Sequence, residues 1–335
     1  MRYSDVEKYR KDVETAIEHT VDFADLYHKR VLILGASGLL GSFMVDCLLW
    51  ANKLHNAEIT IYAVSRDREQ LNRRFGSDHK KYLHLIEADV MTMEIPLSFD
   101  YIIHAAGYGH PGAFREIPAE VLLSGVVGAQ RTLDIARQSA SCRVLFLSSG
   151  EVQEPVDHLS VRACYPVGKM AAETLCICYQ KEFGVDAVIA RPCHTFGANT
   201  AKHDNRATAQ FLAAAARGAN IQMYSAGEQR RSFLYVADCI SGLLTVLTKG
   251  AGGAVYGISS GESCTIREFA ERCSAVGKCT VKFHMPTSIE KSESSPIKKQ
   301  IVGNDALREL GWQPAFSIEE GIERTIEIIR EMDGN

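Results

Sequence analysis

Short apolar segments alternate with segments of helical periodicity through the first 191 residues of this 335-residue chain. The apolar segments are continuous, which is typical of strands that are buried on both faces. Strands that alternate with helices form a parallel sheet covered by those helices. We therefore predict a doubly wound α/β domain, with strands at 30–35, 58–65, 82–89, 100–107, 143–150 and 185–191 and with helices at 39–52, 67–75, 116–139 and 164–184.

The pattern becomes irregular beyond this first domain, whose predicted bounds are 29–191, and we predict a smaller α/β lobe over 192–335. Some segments of the lobe are expected to return to the first domain. Its predicted elements are a helix at 207–217, a strand entering a helix over 233–247, a polar loop at 285–300 and a last helix at 317–332. Residues 1–28 are predicted to form a helical extension that packs on the domain or on a neighbouring subunit. Its apolar face comprises Val6, Tyr9, Val13, Ile17, Val21 and Ala24.

The charge balance and the cysteines exclude several classes of protein. The chain has 37 Lys and Arg residues against 41 Asp and Glu residues and no basic run, which argues against nucleic acid or a membrane surface as partner. No segment approaches the roughly 20 apolar residues of a membrane helix, and the charged start is unlike a signal peptide. Cys176 and Cys178 would face different ways on a helix, so we expect no metal site. Single cysteines in apolar runs favour reduced thiols and a soluble, cytoplasmic protein.

A glycine-rich turn follows the first predicted strand and opens the first long helix. Gly35, Gly38 and Gly41 have G-x-x-G-x-x-G spacing. Such a turn lets the backbone approach a pyrophosphate, whose charge then lies at the N-terminus of the helix. Glycine triplets also serve tight strand–helix packing, but this strand–turn–helix context indicates a dinucleotide site.

The end of the second predicted strand bears on which dinucleotide is bound. An acidic residue there usually binds the ribose of NAD, whereas this chain has Ser65 and Arg66, which suit a 2′-phosphate. We therefore favour NADP(H) within an NAD(P) site. Asp67 follows directly, so NAD stays an alternative, as does a solvated helix-start role for Arg66. Asp89 and Val90, after the third strand, are predicted to lie at the edge of the adenine.

Tyr165 and Lys169 form a Y-x-x-x-K pair, one turn apart on a predicted helix. Tyrosine titrates near pH 10, but a lysine ammonium and a nearby nicotinamide charge would lower its pKa. Tyr165 could then exchange a proton with a substrate hydroxyl. The pair alone is common by chance. It gains weight from Ser149, which ends the fifth strand and could hydrogen-bond the reacting oxygen.

Five motifs now stand in one order: GASGLLG, HAAG, LFLSSGEV, YPVGK and RPCHTFG. In them the chain resembles the extended short-chain dehydrogenase/reductase family, with its Rossmann domain, over residues 29 to 331. It is most similar to the nucleotide-sugar branch that contains UDP-glucuronate decarboxylases and dTDP-glucose 4,6-dehydratases. The resemblance implies that Ser149, Tyr165 and Lys169 are the catalytic trio and that Glu151 is a catalytic glutamate. Further cofactor contacts follow from it at Ser37, Leu39, Leu40, Ala105, Ala106 and Pro192.

The resemblance also assigns the substrate side of the site. Arg231 matches an arginine that grips the substrate diphosphate, for which a bidentate guanidinium is suited. Tyr224 lies where the family often stacks a residue on the base, and Arg206 is placed to meet phosphate. For each of these three residues, ordinary surface exposure is the alternative.

Several substrate-side residues depart from the family pattern. Gly150 replaces an aspartate of the dehydratases, which weakens that reading, and the sequence Val152–Gln153–Glu154 replaces a usual V-Y-G. Phe114 replaces an aromatic hydroxyl, Gly125 replaces an asparagine, and His194 replaces the asparagine of F-N-x-Y-G. His194 could be an acid, a substrate contact or a structural replacement. The cofactor half is thus kept and the sugar half altered, which suggests a different substrate such as a nucleotide-linked pentose or alditol.

Three functions remain from the sequence. The leading hypothesis is an enzyme that modifies a nucleoside-diphosphate sugar through an internal oxidation and reduction cycle, as a decarboxylase, epimerase or dehydratase. The second is an NADPH-dependent reductase of a nucleotide-linked ketose or keto-sugar, and the third is a dinucleotide sensor without catalysis. The resemblance also implies a homodimer in which the helix carrying Tyr165 and the helix at 116–139 pair across a two-fold axis.

Overall fold

A computed structural model describes residues 1–76, 81–139, 141–200, 204–284 and 297–334. Its strands are β1 (Arg30–Leu34), β2 (Thr60–Ser65), β3 (Leu83–Glu87), β4 (Tyr101–His104), β5 (Arg143–Leu147), β6 (Asp186–Pro192), β7 (His194–Phe196), β8 (Ile221–Met223), β9 (Arg230–Tyr235), β10 (Val255–Ile258), β11 (Ser263–Thr265), β12 (Val281–Phe283) and β13 (Lys299–Gln300). Its helices are α1 (Glu7–Glu18), α2 (Leu39–His55), α3 (Arg68–Phe75), α4 (Pro111–Glu116), α5 (Pro118–Arg137), α6 (Cys164–Phe183), α7 (Ala207–Ala216), α8 (Val236–Lys249), α9 (Ile266–Gly277), α10 (Asp305–Glu309) and α11 (Ile318–Asp333).

The main sheet of the described chain has seven parallel strands in the order β3-β2-β1-β4-β5-β6-β10. The six strands predicted from the apolar segments are all present, with slightly shorter bounds, so the doubly wound α/β prediction is confirmed. Their side chains are buried on both faces by helices, as in β1, where residues 31–34 are fully buried. The seventh strand, β10, comes from the second half of the chain and pairs with β6.

A smaller sheet lies beyond the carboxyl end of β6. It is centred on β9, which pairs with β7, β11 and β13, while β8 and β12 form a separate parallel pair. β7 begins after a single residue, Cys193, so the chain passes directly from the main sheet to the smaller one. This arrangement places the start of β7 and the middle of β9 beside the carboxyl edge of the main sheet.

The N-terminal extension packs on the domain through α1, which lies against α2, α8 and α11. Val6, Tyr9, Val13 and Ile17 are buried, as predicted. The helix ends at Glu18, before the predicted face does; Val21 still packs against the core, but Ala24 is exposed in a following short 3-10 turn, so the prediction is wrong for Ala24.

Two other predicted elements differ from the structure. The helix predicted at 116–139 is present as α5 but begins at Pro118 and ends at Arg137. Glu116 ends the separate short helix α4, because Pro118 cannot donate the hydrogen bond that would continue α4. Most of the loop predicted at 285–300 lies outside the described residues, and its last two residues form β13. Within the described ranges, no helix is both long and apolar enough to cross a membrane.

Candidate active site

The glycine-rich turn joins β1 to α2 as a tight cradle. Gly35 has φ +83°, a conformation that L side chains rarely adopt, and a Cβ there would lie 2.7 Å from the Ala105 carbonyl oxygen. A Cβ on Gly41 would collide with the Gly35 backbone. Gly38 precedes α2, whose first backbone N–H groups have no side-chain cap. A diphosphate can come close to the backbone at such a turn and accept hydrogen bonds from the N–H groups at the start of α2.

The end of β2 is tied to the same turn. The hydroxyls of Ser65 and Ser37 lie 2.9 Å apart. Arg66, next along the chain, hydrogen-bonds the Tyr108 hydroxyl and lies over its ring at 4.8 Å. It also forms an ion pair of 3.3 Å with Glu120 at the start of α5. The residue predicted to discriminate between NAD and NADP therefore already has an anionic partner.

The remaining predicted cofactor residues lie at the carboxyl ends of neighbouring strands. Asp89 follows β3 and accepts a hydrogen bond of 2.8 Å from the Met91 backbone through its side chain. Val90 packs against α5, where a Cβ on Gly128 would lie 3.1 Å from it. Ala105 and Ala106 follow β4 next to Gly35, and Pro192 ends β6. These positions line one edge of the sheet, where doubly wound folds bind ligands. Leu39 and Leu40, the first residues of α2, border the same edge.

Ser149 and Tyr165 come together at the end of β5. The Tyr165 side chain hydrogen-bonds Ser149, and the Ser149 hydroxyl in turn accepts from the Glu151 backbone at 3.1 Å. Burial raises the pKa of Tyr165 to about 12, and the nearby Glu151 carboxylate adds to that rise. The cations that lower the pKa of Tyr165 are Arg162 and Arg206.

The Lys169 side chain is buried against the end of β5. Its ammonium donates to the Leu147 carbonyl at 2.7 Å and lies 4.9 Å from the Phe146 ring. Burial lowers the pKa of Lys169 to about 8. The effect of Lys169 on the pKa of Tyr165 stays a prediction.

Glu151 is fixed by an ion pair that the sequence reading missed. The Arg162 guanidinium donates to Glu151 Oε2 at 2.6 Å, with both side chains largely buried. Arg162 also lies 4.7 Å over the ring of Phe114, and that ring stacks on Tyr165 with centroids 4.9 Å apart. The carboxylate, the guanidinium and the two rings form one continuous cluster, which fixes Glu151 beside the tyrosine.

Arg231 and His194 form the opposite wall. Arg231 is 4% exposed and donates to the Ile297 carbonyl at 2.5 Å and to the Arg230 carbonyl at 2.9 Å. Its charge is close enough to Glu151 to be stabilised by it. His194 is 2.8 Å from Gln300. Burial, with a smaller contribution from the Arg231 charge, lowers the pKa of His194 to about 4, so the imidazole is neutral at pH 7.

The substrate-side departures have structural partners. A Cβ at Gly150 would lie 2.5 Å from Val302, so the aspartate of the dehydratases has no room there. A Cβ at Gly125 would lie 3.2 Å from the Gly168 backbone, which shows that this glycine lets α5 approach α6. Both departures are therefore accounted for by close packing.

The predicted substrate residues do not all lie equally close to the cluster around Tyr165. Arg206 precedes α7 and is held by Asp204 at 2.5 Å, yet its charge still reaches Tyr165 and His194. Tyr224 is 56% exposed after β8 and stacks on His284 at 5.3 Å. Arg206 thus belongs to the cluster, while Tyr224 lies at the outer surface.

Comparison with known proteins shows which family the chain belongs to. The family model of the NAD dependent epimerase/dehydratase family matches residues 31–259, about two thirds of the chain. The chain belongs to this family. The predicted enzyme class and NAD(P) cofactor are thereby confirmed, whereas the choice between NAD and NADP stays a prediction.

Relatives in the epimerase/dehydratase family include UDP-glucuronic acid decarboxylases. UDP-glucuronic acid decarboxylase 3 of Arabidopsis thaliana is 29% identical over 306 residues, which cover 88% of this chain and 86% of that protein. UDP-glucuronic acid decarboxylase 1 of Danio rerio is 28% identical over 314 residues, covering 89% and 72%.

Solved structures share the fold. The dTDP-glucose 4,6-dehydratase DesIV of Streptomyces venezuelae, solved with NAD and TYD bound, matches with a TM-score of 0.77 and 22% identity over 91% of this chain and 98% of that one. UDP-glucose 4-epimerase of Thermotoga maritima matches with a TM-score of 0.74 and 21% identity over 90% and 99%. At these identities the match establishes the architecture that the family shares.

Proposed function

We propose that this protein converts a nucleoside-diphosphate sugar through an internal cycle of oxidation and reduction, with a keto sugar as the intermediate. The observation that carries this proposal is the cluster at the end of β5. It combines a proton-transfer pair, Ser149 and Tyr165, with a fixed carboxylate, Glu151, and a buried cation, Arg231. A proton relay and a separate carboxylate are what a reaction with both a redox step and a second chemical step requires.

The cradle around Gly35, Gly38 and Gly41 would hold the pyrophosphate of NAD(P), and its fit rests on the space that a Cβ at Gly35 or Gly41 would fill. When bound, the nicotinamide supplies a hydride acceptor and later returns the hydride. Tyr165 takes the hydroxyl proton of the sugar through its phenolic oxygen, and Ser149 holds the same substrate oxygen. Because burial holds the pKa of Tyr165 at about 12 in the protein alone, cations must favour its ionised form during the reaction.

Decarboxylation is the second step that the site supports best. A ketone beside a carboxyl-bearing carbon lets that carboxylate leave as carbon dioxide, with the bonding electrons passing into an enolate that then takes up a proton. Glu151, which Arg162 holds near Tyr165, would handle that proton. A Cβ at Gly150 would collide with Val302, which disfavours an acid for water elimination at this position. The identity to UDP-glucuronic acid decarboxylases supports the same reaction.

A second candidate is an NADPH-dependent reductase of a nucleotide-linked ketose. Arg66 at the end of β2 and the altered residues Phe114 and His194 favour it. A dinucleotide sensor is favoured least, because a sensor has no need of the Ser149–Tyr165 hydrogen bond.

Whether the purified protein retains its cofactor distinguishes the internal cycle from the reductase. Freshly purified protein is denatured and the released nucleotide is identified by chromatography. An internal cycle regenerates its cofactor at every turnover, so we expect about one NAD⁺ or NADP⁺ per chain. An empty site that binds and exchanges NADPH would overturn the internal cycle in favour of the reductase.

The choice between NAD and NADP is proposed to depend on a competition for Arg66. Glu120 neutralises Arg66 at 3.3 Å, and a 2′-phosphate would have to displace that carboxylate. We expect Glu120→Gln to raise the affinity for NADP⁺ relative to NAD⁺ by about tenfold and Arg66→Ala to lower it by about tenfold. Calorimetric titration of each variant with both cofactors measures the ratio. Glu116→Gln, also near the start of α5, is the control, and an unchanged ratio in Glu120→Gln would contradict the proposal.

A homodimer and a cytoplasmic location are also proposed. Leu123 on α5 is 53% exposed and Ile177 on α6 is 44% exposed, which supports pairing of these helices with a second copy. Sedimentation should give twice the chain mass, and the mass of a single chain would contradict it.

The cysteines are all free thiols, as expected in a reducing compartment. Fractionation of the source cells checks the location.

A further inference from the structure

A cavity of about 560 Å³ lies between the N-terminal segment, α1, the second half of α2 and the end of α3. Its volume is in the range of small-molecule sites. None of the predicted catalytic, cofactor or substrate residues is among the described residues that line it. We call it the α1–α2 pocket. Arg2, Arg10, Trp50, Lys53, Lys81 and Tyr82 are the lining residues used below.

The α1–α2 pocket lies at the opposite edge of the sheet from the active site. Gly35 and Ser149 follow the carboxyl ends of β1 and β5, and α2 begins at that edge. The pocket is lined by the last turns of α2 and α3 and by residues just before β3, which are at the amino ends of the strands. A ligand in this pocket would therefore occupy a site separate from the catalytic cluster.

Positive charge predominates in the pocket, which is lined by five cationic side chains and two carboxylates. Arg74, one of the cations, is ion-paired with Asp46, so its charge is already compensated within the protein. Arg10 donates to backbone carbonyls of Ser4 and Asp5 at 3.2 and 3.0 Å. These carbonyls carry no net charge, so the guanidinium charge of Arg10 is available to an anion.

Aromatic rings lie beside the cations. Trp50 is fixed by a hydrogen bond of 3.0 Å from its indole to Glu14, and the Lys53 ammonium lies 4.5 Å from its ring. The Lys81 ammonium lies 4.5 Å from the ring of Tyr82. Within the described chain, Lys53 forms no ion pair with a carboxylate. Lys53 thus lies beside the Trp50 ring without a carboxylate partner among the described residues, whereas Lys81 lies 3.9 Å from Glu58. A flat ring next to such a cation matches a ligand with a planar base and a phosphate chain.

We propose that the α1–α2 pocket is a second binding site, for a nucleoside phosphate. The base would stack on Trp50 or Tyr82, and the phosphates would pair with Arg10 and Lys53. This proposal does not depend on the reaction catalysed at the other edge of the sheet. It gives a ligand-binding role to the N-terminal extension, which supplies Arg2 and Arg10.

Tryptophan fluorescence tests the proposal directly. The chain has two tryptophans. Trp312 is fully buried away from solvent, and Trp50 lines the pocket. The full-length protein is titrated with ATP and UTP, and with uridine and inorganic pyrophosphate as partial ligands. We expect saturable quenching by at least one nucleotide, weaker binding of both partial ligands, and loss of the signal in Trp50→Phe.

Charge variants complete the test. Lys53→Ala, at an exposed side chain, should weaken nucleotide binding by about tenfold. Lys11→Ala, on α1 and paired with Glu7, is the matched control and should leave binding unchanged. Absence of saturable quenching, equal binding of pyrophosphate, or binding that Lys53→Ala does not weaken would each overturn the proposal. Calorimetry of Trp50→Phe checks that any remaining binding is at the catalytic site.

Discussion

Tyr165→Phe should lower kcat by about 10³-fold while leaving cofactor binding within about twofold of the original protein. The substitution removes the phenolic oxygen that hydrogen-bonds Ser149 and exchanges the proton. The ring remains, so its stacking on Phe114 is kept and the site should stay folded. Turnover is measured on a nucleotide-sugar substrate, and cofactor affinity by calorimetry.

The pH dependence gives a second readout for the same residue. Burial raises the pKa of Tyr165 and the cations of the loaded site lower it, so more of the tyrosine is ionised at higher pH and kcat should rise with pH until this ionisation is complete. Tyr165→Phe should abolish that rise. Tyr179→Phe, on the same helix but bonded to Asp134, is the control. Turnover that survives in Tyr165→Phe would contradict the catalytic assignment.

Glu151→Gln should lower product formation by about 10²-fold without stopping the oxidation of the sugar. The amide keeps the size of the carboxylate but can no longer accept and return a proton, and it breaks the ion pair with Arg162. The first half of the cycle depends on Tyr165, so oxidised sugar and reduced nicotinamide should accumulate. Rapid-mixing absorbance of reduced nicotinamide, together with product analysis, measures the two halves separately.

Asp157→Asn is the matched control for this prediction. Asp157 is exposed on the same loop and accepts a hydrogen bond from the Leu159 backbone at 3.2 Å. Asp157→Asn should leave both the oxidation of the sugar and the formation of product unchanged. If Glu151→Gln slows oxidation and product formation equally, then Glu151 serves the first step or the shape of the site, and its proposed role in the second step is wrong.

The parts of the site that could be read from the sequence are those built from neighbouring residues. The glycine turn and the Tyr165–Lys169 pair lie within single segments, where spacing alone determines which groups share a surface. The main sheet was predictable for a similar reason, since apolar runs mark each buried strand.

Contacts between distant segments leave no such trace in the sequence. The Glu151–Arg162, Arg66–Glu120 and His194–Gln300 pairs join residues 11, 54 and 106 positions apart. No periodicity relates such positions, because tertiary packing sets their distance. The contact of Lys169 with the Leu147 carbonyl has the same origin, since that acceptor is on a different element.

Strand β13 has a consequence for how the protein is made. Its segment brings Gln300 to His194, the Ile297 carbonyl to Arg231 and Val302 to Gly150. These residues leave the ribosome long after the nucleotide-binding half has been synthesised. A nascent chain can therefore acquire its cofactor cradle early, yet its substrate wall is assembled near the end of translation. Premature termination before Ile297 would leave the catalytic centre without these three contacts.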